Sequence, residues 1–240
     1  MKVYAASDIG RVRPINEDSY YAPQPGERFC AVADGMGGHN AGEVASAMAI
    51  NVLAEQMRAS DRPAPEALRL AVERANAEIY RASKERVDCS GMGTTITALC
   101  MEGKTAHIAQ VGDSRAYLVR NRAILQVTTD HTLVEEMVLS GLITPTEALN
   151  HPKRNYITRA LGTAQSVEVD LLRLDTRPDD VLLLCSDGLS NAVSEREMLD
   201  ILLSGMRMRD KLSALIERAL HHGGHDNITA LLIPCEEAPK

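Results

Sequence analysis

The chain has 240 residues, 45% hydrophobic and 25% charged, which is ordinary globular usage and excludes a collagen-like, low-complexity or disordered protein. A formal net charge of −7 argues against a nucleic-acid binder, which needs a basic face, and six Tyr, one Phe and no Trp leave no platform for stacking bases. Apolar runs are only a few residues long, far below the ~18 of a membrane span, and Met1-Lys2-Val3-Tyr4 carries no export signal, so a cytoplasmic chain is expected.

In chain order, Ser7-Asp8-Ile9-Gly10 precedes Arg13, and Asn16-Glu17-Asp18 leads into a strand-like stretch with Tyr20 and Tyr21. The apolar run Phe29–Ala33 ends in Asp34-Gly35-Met36-Gly37-Gly38-His39, a glycine-rich turn that enters a helix. That turn lacks the Gly-Lys-Ser/Thr of a phosphate loop and the spacing of a dinucleotide fingerprint, so a metal-binding reading fits it better. Two helices fill about 40–83: Ala45, Met48, Ala49, Val52 and Leu53 share one face, as do Leu68, Ala71, Val72, Ala75 and Ile79. A block of strands follows over about 93–127. Ser194 and Glu197 form a capping box that opens a short helix, and Leu212, Leu215, Ile216, Ala219 and Leu220 form another helical stripe.

Phe29–Ala33, Ile96–Cys100, Val181–Cys185 and Ile228–Leu232 are nearly continuous apolar runs, the mark of strands buried on both faces. Strands and helices come in groups rather than in alternation, which argues for antiparallel sheets. Antiparallel strands covered on both sides imply two stacked sheets with helices outside them. No linker or repeat divides the chain, so residues 1–240 read as one domain. The five cysteines, Cys30, Cys89, Cys100, Cys185 and Cys235, are odd in number, widely spaced and without a CxxC. They read as small hydrophobes in a reducing compartment, not as a zinc site.

Aspartates sit where the apolar runs stop or start. Asp34 follows one, Asp113 closes Ala106–Val111, Asp187 follows Val181–Ser186, and Asp226 precedes Ile228. In antiparallel neighbours one strand's end lies beside the next strand's start, so these acids can meet on one rim. Clustered carboxylates repel unless cations neutralise them, and an all-oxygen donor set selects hard ions such as Mg²⁺, Mn²⁺ or Ca²⁺. Arg13 is the nearest cation. It is open to two readings: a surface ion pair with Glu17, or a planar fork for phosphate.

Nine motifs in order resemble the PP2C-type (PPM) metal-dependent serine/threonine phosphatases, above all their compact bacterial members. They are Ser7–Gly10 with Arg13; Asn16–Asp18; Val32–Gly38; Gly91-Met92-Gly93-Thr94-Thr95; Val111-Gly112-Asp113-Ser114-Arg115; Thr129-Asp130-His131; Ile157-Thr158-Arg159-Ala160-Leu161-Gly162; Cys185-Ser186-Asp187-Gly188-Leu189; and Gly223–Thr229. The resemblance implies an α+β fold, a four-layer α-β-β-α sandwich of two antiparallel sheets flanked by helices. It implies two Mn²⁺ or Mg²⁺ ions in a core site and a weaker third. Asp34 would bridge the core pair, Gly35 would ligate through its carbonyl, Asp187 and Asp226 would complete one shell, Asp18 with Glu17 would serve the other, and Asp113 with Asp187 would hold the third ion. Arg13 would bind the substrate phosphate, and a loop-rich flap would span 138–160. The implied reaction is hydrolysis of phosphoserine or phosphothreonine by a metal-activated water, opposing a bacterial Ser/Thr kinase.

The chain departs from eukaryotic relatives in one place. Met36, not histidine, follows Asp34-Gly35, as in bacterial relatives. That leaves His39 or water as proton source for the leaving group. Ser114 and Ser186 read as structural. Expected partners are phosphorylated proteins and a kinase, without nucleic acid or membrane, for a monomeric chain. A catalytically silent relative would have lost the carboxylates, which are all present, and a nuclease would carry basic tracts, which are absent.

Overall fold

The computed structural model describes residues 1–37 and 41–235. Its elements begin with β1 (Tyr4–Asp8), β2 (Asp18–Tyr21), β3 (Phe29–Met36), α1 (Gly42–Ala59) and α2 (Ala64–Glu85). Then come β4 (Gly93–Thr94), β5 (Ile96–Glu102), β6 (Thr105–Val111), β7 (Arg115–Arg120) and β8 (Ala123–Gln126). Two short helices, α3 (Leu133–Leu139) and α4 (Pro145–Leu149), precede β9 (Asp170–Asp175) and β10 (Val181–Cys185). The chain continues through α5 (Asp187–Ser190), α6 (Glu195–Leu203), α7 (Met208–His221) and β11 (Ile228–Pro234).

The strands form two sheets, ordered β1-β11-β10-β7-β8 and β2-β3-β5-β6-β9, with β4 attached to β3, and every pairing is antiparallel. The period-two alternation of strands explains why the central runs are apolar throughout. In β3, Phe29, Ala31 and Ala33 face the core under α1 and α2, while Cys30 and Val32 face the core between the sheets. In β10, Val181, Leu183 and Cys185 pack beneath α6 and α7, while Leu182 and Leu184 point into the inter-sheet core. Three apolar layers therefore separate four structural ones, and the expected α-β-β-α sandwich is what the chain forms. All five cysteines are free, and all but Cys235 are buried.

Three local features differ from the sequence reading. Strand β3 runs through Asp34 to Met36 instead of stopping at Ala33, because Gly35 and Met36 pair with Thr94 and Gly93 of β4. The flap is not simply loop: α4 opens on a capping box, with Thr144 accepting from the Glu147 amide and the Glu147 carboxylate reaching back to Thr144 N–H. Pro145 at the first helical position supports that start. Strand β9 is an edge strand whose residues alternate in exposure along its length, so no continuous apolar run announces it. The Ser194–Glu197 capping box forms on α6 as expected.

Candidate active site

Strand register carries the acids to one rim. Asp18 at the start of β2 lies opposite Asp34 near the end of β3. In the other sheet, Ile228 at the start of β11 pairs with Asp8 at the end of β1, and Ala230 pairs with Cys185 at the end of β10. That places Asp226, just before β11, beside Asp187, just after β10. Asp113 lies in the turn between β6 and β7. Gly112, with φ +105°, makes this turn, and a Cβ there would collide with Thr95.

Buried hydroxyls and amides hold this rim. Asp34 N–H donates to Thr95 Oγ1 at 2.9 Å, and its carbonyl accepts from Thr94 Oγ1 at 2.8 Å. Ser186 Oγ donates to Asp18 Oδ2 at 2.7 Å and accepts from Thr229 N–H at 3.0 Å. Ser186 is thus structural as expected, but it acts directly on a site carboxylate. Asn227 draws the 9–17 loop inward: its Oδ1 accepts from Glu17 N–H, and its Nδ2 donates to the carbonyls of Ile9 and Ile15. Ser46 Oγ on α1 donates to the Glu17 carbonyl at 2.6 Å. The sequence reading did not assign roles to Thr94, Thr95, Asn227 and Ser46. Only Asn227, buried directly beside Asp226, carries a local signal.

The electrostatics are those of acids crowded together without enough positive charge. Burial, reinforced by neighbouring aspartates, pushes Asp18 up to about 7, Asp113 to about 8 and Asp187 to about 6, and holds Asp34 well above the usual carboxylate range. Burial also raises Glu17. Asp18 Oδ1 and Asp113 Oδ1 are buried with no hydrogen-bond partner among the described residues. A buried carboxylate oxygen without a partner is costly, so these atoms fit a cation as donor-poor ligands. Among the described residues no three acidic, His or Cys side chains are already drawn into a closed coordination group. The donors surround a space instead of filling it.

Arg13 has a partner that neither sequence reading named. Its guanidinium lies 2.7 Å from Asp226 Oδ2 and 3.9 Å from Glu17 Oε2, so Asp226 is the main partner and also the main cause of its raised pKa. The side chain is 45% exposed. Arg13, Glu17, Asp34, Gly35, Asp113, Asp187 and Asp226 all line one cavity of about 580 Å³, together with Asn155, Tyr156 and Ile157. Met36 lines it too. His39 lies outside the described residues.

The raised carboxyls make a prediction for the metal-free protein. Between the ordinary aspartate value near 4 and the folded values, the native state holds protons that the unfolded chain has released. Stability therefore falls as pH rises toward the folded values, by up to about 1.4 kcal/mol per pH unit for each such carboxyl, and levels off above them. The window is about pH 6.5 to 8, set by Asp18 and Asp113 and lying above the titration of His131, whose pKa burial lowers. Melting temperatures in excess chelator should drop across this window. A flat or rising profile would contradict the crowded-acid description.

The chain matches the Protein phosphatase 2C family over residues 11–230. It is 42% identical to the serine/threonine phosphatase stp of Listeria monocytogenes over 95% of this chain and 93% of that protein. It superposes on the crystal structure of the Mycobacterium tuberculosis serine/threonine phosphatase PstP with a TM-score of 0.91 at 42% identity, covering 98% of this chain and 99% of that one. The catalytic domain of PstP in complex with 2 manganese ions gives a TM-score of 0.85 at 41% identity, with 96% of each chain covered. The chain belongs to the protein phosphatase 2C family. It is a protein-serine/threonine phosphatase, a phosphoric monoester hydrolase. Among the described residues no helix is long and apolar enough to cross a membrane.

Proposed function

We propose that the aspartate rim holds two divalent cations, Mn²⁺ or Mg²⁺, with a third bound more weakly. In this reading Asp34 serves both core ions, with the Gly35 carbonyl, Asp187 and Asp226 on one, and Asp18, backed by Glu17, on the other. Asp113 and Asp187 take the third. The observation that carries the proposal is the gathering of five aspartates from both sheets on one rim, with two buried carboxylate oxygens lacking partners. The two manganese ions in the PstP catalytic domain support it. Bound there, such ions supply hydroxide near neutral pH and offset charge on the phosphoryl oxygens.

The residues of the chain do the remaining work. Thr94, Thr95, Ser186 and Thr229 fix the carboxylates, so their geometry is set before substrate arrives. Arg13, beside Asp226 at the cavity, would orient two phosphoryl oxygens of the substrate with its planar fork. Residues 138–160 act as a flap beside the cavity, within a single catalytic unit over 1–240. Four buried free thiols fit a reducing cytoplasm. Phosphoserine and phosphothreonine must be made before they can be hydrolysed, so a Ser/Thr kinase is the opposing partner.

Phosphate release from a phosphothreonine peptide tests this reading. Excess chelator should abolish it and Mn²⁺ should restore it, because an oxygen-only site without a His or Cys cage exchanges its ions readily. A cyclic dinucleotide should remain intact. Full activity in chelator would overturn the proposal.

A further inference from the structure

We propose that Tyr156 is a specificity-determining residue that packs against apolar side chains flanking the phosphorylated residue of a protein substrate. The inference rests on the phosphatase reading of the cavity. Tyr156 lines the same space as Arg13, Asp34, Asp187 and Asp226. It is 65% exposed, and neither its ring nor its hydroxyl has a partner among the described residues. Among the described residues, this exposed aromatic of the catalytic cavity has no packing partner that would account for it.

Its backbone is nonetheless fixed. The Tyr156 carbonyl accepts from Leu133 N–H at 2.9 Å, its N–H donates to the Lys153 carbonyl at 3.0 Å, and Ile157 bridges to Thr132. The ring is thus presented from a rigid base, which lowers the entropy lost when it contacts a ligand. The acid side of the cavity takes the phosphoryl group. A cavity of about 580 Å³ is larger than one phosphorylated side chain needs, so neighbouring residues of the substrate reach the Tyr156 wall. The flap also exposes Leu139, Leu142 and Leu149. The occupant this chemistry selects is a phosphorylated segment with aliphatic neighbours, not one with polar neighbours.

The test uses two phosphoserine peptides that differ only in the residues on either side of the phosphoserine, Leu in one and the similarly shaped Asn in the other. With Mn²⁺ present, wild-type enzyme should favour the Leu peptide by about tenfold in kcat/KM, the scale of one partly buried aliphatic side chain. Tyr156→Ala should reduce that preference to about twofold or less, and Tyr156→Phe should keep it, since the ring and not the hydroxyl makes the contact. The preference is a ratio within one preparation, so any misfolded fraction cancels. Wild-type enzyme without a preference, or a Tyr156→Ala variant that retains it, would overturn the proposal. If wild-type enzyme leaves both peptides intact, the phosphatase reading of the cavity falls, and this inference with it.

Discussion

Asp34→Asn is expected to lower kcat/KM for a phosphopeptide on the order of a thousandfold or more, while raising the melting temperature of the metal-free protein. Both effects follow from one carboxylate. Asp34 is enclosed among Asp18, Asp187, Asp113 and Asp226, which all raise its pKa in addition to burial. Asparagine keeps the shape and removes a carboxyl whose ionisation the metal-free fold opposes. The backbone around it is fixed by Thr94 and Thr95 and is not disturbed by the change. Function-bearing positions that oppose stability behave in this way, and easing them stabilises the fold at the expense of activity. Mn²⁺ should raise the melting temperature of wild-type protein markedly and that of the variant much less, because ligands that bind only the native state stabilise it by mass action. Thermal melts with chelator and with Mn²⁺, alongside phosphopeptide kinetics, check both halves. A variant within a few-fold of wild-type activity would remove Asp34 as the shared ligand.

Arg13→Ala is expected to cost one to two decades in phosphopeptide kcat/KM, the loss of a charge-assisted contact of about 1.5–3 kcal/mol. Its effect on the melting temperature should be small. The bond to Asp226 is short, but the arginine side chain is 45% exposed and that of Asp226 35%, and exposed ion pairs contribute only about 0–1 kcal/mol. Arg13→Lys should recover part of the activity, since it restores the charge without the fork. The competing expectation is a structural ion pair. In that case the alanine variant melts lower and its folded fraction keeps wild-type kinetics. Melting and kinetics on one preparation separate the two outcomes.

The candidate metal residues were legible because each sits at a place that the sequence marks locally. Asp113, Asp187 and Asp226 border apolar runs, and Asp18 opens a strand-like stretch. Asp34 was found by the same rule although it lies inside β3, since the Asp-Gly pair interrupts the apolar run even where the strand continues. The continuation depends on β4, a two-residue strand with no pattern of its own. The capping box at Thr144 and Glu147 was present in the sequence as a local signal, yet α4 has too few residues for a helical stripe to confirm it.

The layering and the chemistry of the rim follow from the order of residues along the chain. Continuous apolar strands need cover on both faces, helices with one apolar stripe need one, and those two requirements already define a four-layer sandwich. Which groups meet is settled by the folded chain. Arg13 chooses Asp226, 213 residues away, over Glu17 four residues along the chain. Asn227 anchors the loop at Ile9 and Ile15 from more than two hundred residues away. Tyr156 faces the aspartates because its backbone is tied to Leu133 and Lys153. Hydrophobic periodicity is a property of neighbours in sequence and can be read there. Polar partnerships depend on strand register and loop closure, which are settled only when the two sheets are stacked and the distant ends of the chain lie side by side.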